Sequence, residues 1–318
     1  MTLSNLRRTV PAPRPATPIT TPQMIRNTLT PGCLALVLLA LSACSETSNA
    51  ARPVVETTAV TTSTTVAPDT TAASTTTSST TSTTSTTTST LPANVEVVGP
   101  APVPIAAVGT ADGEPTRVLQ ERLNQLGFWT GEADGLYGKA TSQAVMAFQK
   151  YHRLPTTGEV DPATAALITG VEERGRGSSD NGTLVEVDKT KQLLFLIVNG
   201  KTLWTFNTST GSEIPYEAVN QKQPWKVERG DSVTPNGLWV VDRQRTDGWW
   251  EGDLGKIYRP KYFRGGVAVH GMTSIPDYPA SHGCVRVSVP AMDFIWSLDL
   301  VNLGTPVWVH GAWVDPAA

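Results

Sequence analysis

Every residue from 74 to 90 is serine or threonine, so this stretch offers no apolar side chain to a hydrophobic core. Such a tract stays extended or becomes glycosylated, because it buries too little apolar surface to offset the entropy lost on ordering. It separates the 318-residue chain into a short N-terminal segment and a C-terminal part that must contain the folded domains. We therefore predict a disordered Thr/Ser-rich linker over residues 44–107.

The segment before this linker has the features of an export signal. The apolar run 33–41 has the length of a signal-peptide core and is too short for a permanent membrane helix. The run ends in Leu-Ser-Ala-Cys, which resembles the bacterial lipobox, in which the cysteine is lipidated and becomes the new N-terminus. The resemblance implies a signal peptide over 1–43, a lipid anchor on Cys44 and an extracytoplasmic location on a membrane, with an ordinary signal cleaved nearby as the alternative. The short basic region after Met24 further predicts that translation starts there.

The charge of the chain argues against one class of partner. The chain has 25 basic and 28 acidic residues, a formal net charge of −3. Processing at Cys44 would remove four arginines and no acidic residue, which leaves a net charge of about −7. An acidic chain without a basic stripe is not expected to bind nucleic acid.

Three helices are predicted after the linker. Residues 115–127 carry apolar side chains at helical spacing and end in a glycine. We expect Thr141 to cap a second helix. A third helix should begin at Asp161-Pro162, where the aspartate caps the helix and proline takes its first position. These elements define a predicted three-helix domain over 108–171.

This helical domain resembles the peptidoglycan-binding module of the three-helix type. The matching positions are residues 119–123, Leu126-Gly127, residues 134–138, Thr141, Ala144-Val145 and Phe148-Gln149. The resemblance implies binding to wall glycan or to a stem peptide. The alternative is a small helical domain that only packs against its neighbour.

Beyond a polar, glycine-rich hinge at 172–182, the pattern changes from helices to strands. Two apolar runs flank Asn199-Gly200, the strongest short hairpin signal. One helix is predicted at 290–298. Strands are predicted at residues 183–187, 193–198, 202–206, 238–241, 266–269 and 305–310. We expect a mostly-β domain over 183–311 with one main helix and a single core.

Cys284 is the only cysteine outside the N-terminal segment, and it lies fourteen residues after His270. A thiol with a nearby histidine is the minimum equipment of a cysteine nucleophile. Because His270 ends an apolar strand, we expect it at the edge of a cleft. The Gly283-Cys284 backbone is a candidate source of N–H donors for an oxyanion.

The residues around Cys284 leave several alternatives open. Arg286 should point to the same side as Cys284, where it would bind a carboxylate or favour thiolate, unless it forms a surface salt bridge. His282 either orients the loop or acts as a second acid–base group. Ser281 is structural or hydrogen-bonds His270. A zinc site would need a fourth ligand beside His270, His282 and Cys284, so no metal or cofactor is predicted.

The sequence Ser281-His282-Gly283-Cys284-Val285-Arg286, preceded by His270-Gly271, resembles the motif of the L,D-transpeptidase catalytic domain of the YkuD type. The resemblance implies a mostly-β YkuD-like fold with peptidoglycan as partner. Cys284 would be acylated by a stem tetrapeptide after its third, diamino-acid residue as D-alanine leaves, and His270 would be the base or the imidazolium of an ion pair. An acceptor amine would then complete a 3→3 cross-link.

Two rival functions use the same sequence features. The first is an L,D-carboxypeptidase or hydrolase, in which water resolves the same thioester. The second is a non-catalytic anchor between membrane and wall. The loop between His270 and Ser281 is short for the family, which leaves the choice of acceptor open.

Two aromatic pairs outside the motif complete the candidate residues. One of Trp249 and Trp250 is expected to line a groove, or to pack on the helical domain, because adjacent residues of a strand point to opposite faces. Tyr262 and Phe263 are expected to cap the cleft or to pack in the core.

Overall fold

The structure, a computed structural model, describes residues 93–314. The predicted signal peptide, the lipidation of Cys44, the start at Met24 and the Ser/Thr tract lie outside these residues. Over the range 93–314, no helix has both the length and the apolar character needed to cross a bilayer.

Three helices form the helical module: α1 (Glu114–Gln125), α2 (Lys139–Tyr151) and α3 (Pro162–Gly170). The predicted cap of α3 is confirmed, because the Thr164 N–H donates to Asp161 Oδ1 over 2.7 Å. The predicted cap of α2 is wrong. Gly138 precedes that helix, and Thr141 lies in its first turn. There the Thr141 hydroxyl accepts a 2.9 Å hydrogen bond from Gln120 Nε2 and thereby joins α2 to α1.

The linker was predicted to extend to residue 107, which is too far along the chain. The segment 93–107 packs against the helical module: the Ala101 N–H donates to Thr169 O over 2.8 Å. Ile105 is only 7% exposed and joins the core of the module. The ordered part of the chain therefore begins before the first helix, and Ile105 of this segment is buried in the core of the module.

The rest of the chain forms the β domain, which within residues 93–314 has twelve strands and one helix. The strands are β1 (Leu184–Asp188), β2 (Leu193–Val198), β3 (Lys201–Asn207), β4 (Tyr216–Val219), β5 (Val227–Gly230), β6 (Gly237–Val240), β7 (Arg243–Gln244), β8 (Trp249–Gly252), β9 (Gly255–Arg264), β10 (Val267–Met272), β11 (Val285–Ser288) and β12 (Pro306–His310). The helix is α4 (Val289–Ser297). The predicted fold class, a helical domain followed by a mostly-β domain, is confirmed.

Two sheets enclose the core of the β domain. One sheet has the order β3-β2-β1-β12-β6, and the other has the order β11-β10-β9-β7 with β8 paired to β9. The pairs β1–β12 and β10–β11 are parallel, and the remaining pairs of these sheets are antiparallel. Strands β4 and β5 form a separate hairpin. Side chains of both sheets and of α4 share one apolar cluster.

Strand β2 is buried on both faces. Leu194 and Leu196 belong to the core between the sheets. Leu193, Phe195 and Ile197 point the opposite way and join the core of the helical module. None of the five is more than 2% exposed. The continuous apolar run of this strand therefore reflects two covered faces, which a half-solvated strand would not show.

The connection between the two cores is held by specific contacts, which the expectation of a polar hinge at 172–182 did not anticipate. The Arg174 guanidinium donates to Gln125 O over 2.9 Å and to Leu203 O over 2.8 Å. One side chain of this segment thus joins the end of α1 to β3. The segment is a packed junction between the helical module and the β domain.

Lys150 extends from α2 into the β domain. The residue is only 9% exposed, and its ammonium group donates to Thr208 O over 3.1 Å and to Gln192 O over 3.4 Å. Burial lowers the pKa of Lys150 to about 7, because the charged form loses its hydration. The unfolded chain, with a pKa near the ordinary value of 10.5, holds a proton between pH 7 and 10.5 that the native state lacks. Native stability should therefore rise with pH in this window.

We predict that Lys150→Met removes this pH dependence. The variant's free energy of unfolding, minus that of the wild type, should be largest at pH 6 and fall between pH 7 and 10 by at most ~1.4 kcal/mol per pH unit. Urea unfolding at several pH values measures the difference. The control is Lys139→Met, an exposed lysine of the same helix. A difference for Lys150→Met that did not change with pH would contradict the prediction.

Candidate active site

The pairing of β10 with β11 brings the two sequence-predicted catalytic residues to one cavity. In this parallel pair His270 is the register partner of Arg286. The neighbouring residues Val269 and Val285 point into the core, so His270, Cys284 and Arg286 leave the opposite face. All three line a cavity of about 560 Å³. Cys284 is a free thiol, partly exposed, with Sγ 3.7 Å from Gly266 O.

Two hydroxyl groups fix the loop that carries Cys284. Ser281 Oγ donates to Cys284 O over 2.6 Å and accepts the Gly283 N–H over 3.0 Å. Thr234 Oγ1 donates to Gly283 O over 2.7 Å and accepts the Gly211 N–H over 2.8 Å. Ser281 is therefore a structural residue of the loop, and its hydroxyl does not bond His270.

The Gly283 N–H is already used by Ser281, which corrects the expectation that it serves an oxyanion. The N–H of Cys284 remains the candidate donor in this loop. Gly283 itself has φ +126°, a conformation that side chains disfavour. A Cβ added there would lie 2.9 Å from Val233 O. The tight loop before Cys284 therefore requires glycine for two separate reasons.

His270 is oriented by its own strand. The residue is 3% exposed, and Nδ1 lies 2.9 Å from Gly271 O. A carbonyl only accepts, so we assign the proton to Nδ1, which leaves the lone pair on Nε2. Burial lowers the pKa of His270 to about 4, and the charge of Arg286 acts in the same direction. The imidazole is therefore neutral at pH 7.

The thiol is also neutral at rest. Burial raises the pKa of Cys284, while a backbone hydrogen bond at Ala268 and the charge of Arg286 partly oppose that rise. The lowered pKa of His270 and the raised pKa of Cys284 describe a thiol beside a neutral imidazole. Of the two predicted roles of His270, this favours the general base over the imidazolium of a resting ion pair.

His282 lines the same cavity as His270 and Cys284, and its ring packs on the β4–β5 hairpin. Its ring centroid is 4.5 Å from that of Tyr216 in β4. Partial burial lowers the pKa of His282. The contact supports the loop-orienting role, and a second acid–base role stays a prediction.

Arg286 forms no salt bridge with a residue that the structure describes, so the alternative of a surface salt bridge gains no support. Its Nε is buried without a hydrogen-bond partner. The guanidinium lines the cavity beside Cys284. A free, partly buried guanidinium in a cavity is a site for a carboxylate.

The aromatic pairs divide as the strand geometry requires. Trp250 lines the cavity, whereas Trp249 packs on Tyr258 with ring centroids 5.3 Å apart. Tyr262 lines the cavity and Phe263 lies in the core.

Sequence reasoning missed Arg243 and Arg245, which also line the cavity. The signal for them was weak, because they lie in a short polar segment forty residues from Cys284. In the folded chain, the pairing of β7 with β9 brings that segment to the cavity.

Within residues 93–314, no group of three or more His, Cys, Asp or Glu side chains is placed to hold a metal ion. The zinc alternative therefore gains no support from the arrangement of His270, His282 and Cys284.

Two family models match the chain in consecutive regions. Residues 112–168 match a peptidoglycan binding domain, and residues 182–309 match the L,D-transpeptidase catalytic domain, YkuD. The crystal structure of an L,D-transpeptidase from Xylanimonas cellulosilytica DSM 15894 is 42% identical, with a TM-score of 0.58. That alignment covers 66% of this chain and 99% of the other. The chain belongs to the L,D-transpeptidase family.

Curated relatives match over shorter stretches. A spore cortex-lytic enzyme of Bacillus cereus is 33% identical over 73 residues, 23% of this chain. An N-acetylmuramoyl-L-alanine amidase of Mycobacterium tuberculosis is 36% identical over 67 residues, 21% of this chain. The chain spans 28% and 16% of the lengths of these two relatives.

We predict that Gly283→Ala disturbs the Cys284 loop. The substitution should lower the free energy of unfolding by on the order of 1–3 kcal/mol through backbone strain. It should also change the rate at which iodoacetamide alkylates Cys284 by at least threefold, because the Cys284 backbone must move away from Val233. Urea unfolding and mass spectrometry of the alkylated protein measure the two effects.

The matched control is Gly304→Ala. Gly304 also has positive φ, +85°, but a Cβ there meets no atom within 4 Å. The Gly304→Ala variant should lose less free energy of unfolding than Gly283→Ala, and its Cys284 should be alkylated at the wild-type rate. Equal effects of the two substitutions would show that the contact with Val233 is unimportant.

Proposed function

We propose that the protein is a cysteine-dependent L,D-transpeptidase that forms 3→3 cross-links between peptidoglycan stem peptides. The observation that carries this proposal is the shared cavity of Cys284 and His270, in which the Nδ1 contact with Gly271 O leaves Nε2 available as a base. Family membership supplies the reaction class.

In the first step, His270 Nε2 takes the proton from the Cys284 thiol as the sulfur attacks the carbonyl carbon of the third residue of a donor tetrapeptide. The C–N bond to D-alanine breaks, and the proton passes to the leaving amine. The product is a thioester on Cys284 and free D-alanine. The Cys284 N–H is the loop donor we assign to the oxyanion.

In the second step, the amine of an acceptor stem attacks the thioester. An amide bond forms, the C–S bond breaks, and the proton lost by the amine returns to the sulfur through His270. One amide is exchanged for another, so the reaction requires no external energy source or redox partner. If water attacks instead, the same thioester gives a tripeptide, which is the carboxypeptidase alternative.

We further propose that the helical module binds peptidoglycan and that a lipid on Cys44 holds the protein at the extracytoplasmic face of a membrane. The match of residues 112–168 to a peptidoglycan binding domain supports the first part. The Leu-Ser-Ala-Cys sequence supports the second. The Ser/Thr tract would then connect the anchor to a folded part working within the wall.

The test of the reaction is incubation of the full chain with purified disaccharide-tetrapeptide, followed by mass spectrometry. We expect a dimer that lacks one D-alanine. Cys284→Ala should abolish the product, and His270→Ala should slow its formation by about 10²- to 10⁴-fold through loss of the general base. Thermal melting checks that both variants are folded. Tripeptide alone would identify a carboxypeptidase, and unchanged tetrapeptide would favour the non-catalytic anchor.

The pH dependence of alkylation tests the resting state of the pair. With a thiol whose pKa is raised, the rate of iodoacetamide reaction at Cys284 should climb about tenfold per pH unit from pH 6 towards pH 9, because thiolate is the reacting species. A preformed thiolate–imidazolium pair would instead give a rate that is nearly constant from pH 6 to 8. Quenched time courses read by mass spectrometry distinguish the two.

A further inference from the structure

The active-site cavity is positively charged in an acidic chain. It is lined by the basic residues Lys222, Arg243, Arg245, Lys256 and Arg286. The acidic residues of its lining are Glu228 and Asp253, and each has a lysine partner, at 2.7 and 3.8 Å. The chain as a whole carries −3. Positive charge concentrated in a cavity attracts an anionic ligand.

Arg245 is held in this wall as a flat, oriented guanidinium. Its Cζ lies 3.5 Å from the centroid of the Trp250 ring, and Lys222 Nζ lies 5.0 Å from the same ring. The main chain of Arg245 is fixed as well, because its N–H donates to Pro260 O over 3.0 Å. Stacking on an aromatic ring orients the guanidinium while leaving its edge open for hydrogen bonds.

The Arg245 guanidinium has an unpaired hydrogen-bond donor. Arg245 Nε is buried without a hydrogen-bond partner, and Arg245 forms no salt bridge with the residues that the structure describes. Leaving a buried donor unpaired is unfavourable, and such groups are rare in folded proteins. Arg286 Nε, in the same cavity, is unpaired too. Arg243, the third arginine of the lining, already donates from Nη2 to Gly265 O over 3.0 Å. The cavity therefore presents two guanidinium groups with an unpaired Nε to a ligand, those of Arg245 and Arg286.

We propose that Arg245, stacked on Trp250, is a specificity-determining residue that binds the side-chain carboxylate of the diamino acid at the third position of a stem peptide. This inference rests on the proposed function for the identity of the ligand. Arg286 lies two residues from Cys284, which suits the terminal carboxylate that adjoins the scissile amide. The second carboxylate, at the far end of the diamino-acid side chain, is left for Arg245. A stem with 2,6-diaminopimelate carries that group, whereas a stem with lysine lacks it.

The test measures binding, so that it does not depend on turnover. The full chain carrying Cys284→Ala is titrated calorimetrically with disaccharide-tetrapeptides containing 2,6-diaminopimelate. One ligand has both carboxylates free, the second has the side-chain carboxylate amidated, and the third has the terminal carboxylate amidated. The affinity for each of the three ligands is measured for the Cys284→Ala chain and for the same chain that also carries Arg245→Gln.

Arg245→Gln should lower the affinity for the ligand with both carboxylates free at least tenfold. It should lower the affinity for the ligand with an amidated side-chain carboxylate less than twofold. The matched control is Arg264→Gln, an exposed arginine outside the cavity that also stacks on a tryptophan, Trp239, at 4.2 Å. It should leave all three affinities unchanged. Arg245→Lys should not restore affinity, because an ammonium does not offer the flat, two-pronged edge.

The proposal is overturned if Arg245→Gln lowers the affinity for the side-chain-amidated ligand as much as the affinity for the ligand with both carboxylates free, or lowers neither affinity. It is also overturned if Arg245→Gln leaves the affinity unchanged only for the ligand whose terminal carboxylate is amidated, because that result would assign Arg245 to the terminal carboxylate. If the carboxylate preference is found but the protein with intact Cys284 forms no cross-link, the proposed transpeptidation fails and the binding role of Arg245 stands.

Discussion

The burial of strand β2 on both faces is the constraint on which the rest of the structure depends. Leu194 and Leu196 fill the core between the sheets, while Phe195 and its neighbours on the other face are covered by the helical module. Removing the module would expose three large apolar side chains of one strand, at a cost of roughly 1.5–3 kcal/mol each. The helical module and the β domain are therefore one folding unit around a shared strand. The module cannot be regarded as a passenger on a flexible hinge.

Hydrogen bonds connect the helical module to the active site. Lys150 of α2 donates to Thr208 O, and the Thr208 hydroxyl donates to Arg286 O over 2.7 Å. The Ser209 and Arg286 backbones also bond each other in both directions. Because Arg286 belongs to β11, which begins directly after Cys284, the packing of a helix in the module bears on the strand that follows the Cys284 thiol.

The sequence was sufficient for the parts of the fold that depend on local pattern. The Asn199-Gly200 hairpin and the cap at Asp161 follow from turn chemistry and capping. The strand before His270 follows from its apolar run, although β10 continues through His270 to Met272 and does not end there. Strands β9 and β11 were missed, because Pro260 interrupts the pattern of β9 and β11 has only four residues. Strands β4, β5, β7 and β8 were also missed, because they are two to four residues long and half-exposed, so no apolar period marks them. Arg245 was missed as a site residue for the same reason. Its position depends on pairing between strands, which no local pattern records.

The active site divides its tasks between main chain and side chains. His270 is oriented by the Gly271 carbonyl, and the Cys284 loop by hydrogen bonds that Ser281 and Thr234 make to backbone groups. These hydrogen bonds do not involve the side chains of Arg245 or Trp250. Trp250, by contrast, lies in the short strand β8, and Arg245 directly follows the short strand β7. Both strands pair with β9 in the second sheet. Under the proposed function, substitutions of Arg245 or Trp250 would thus alter which stem peptide is bound while the thiol and imidazole keep their geometry.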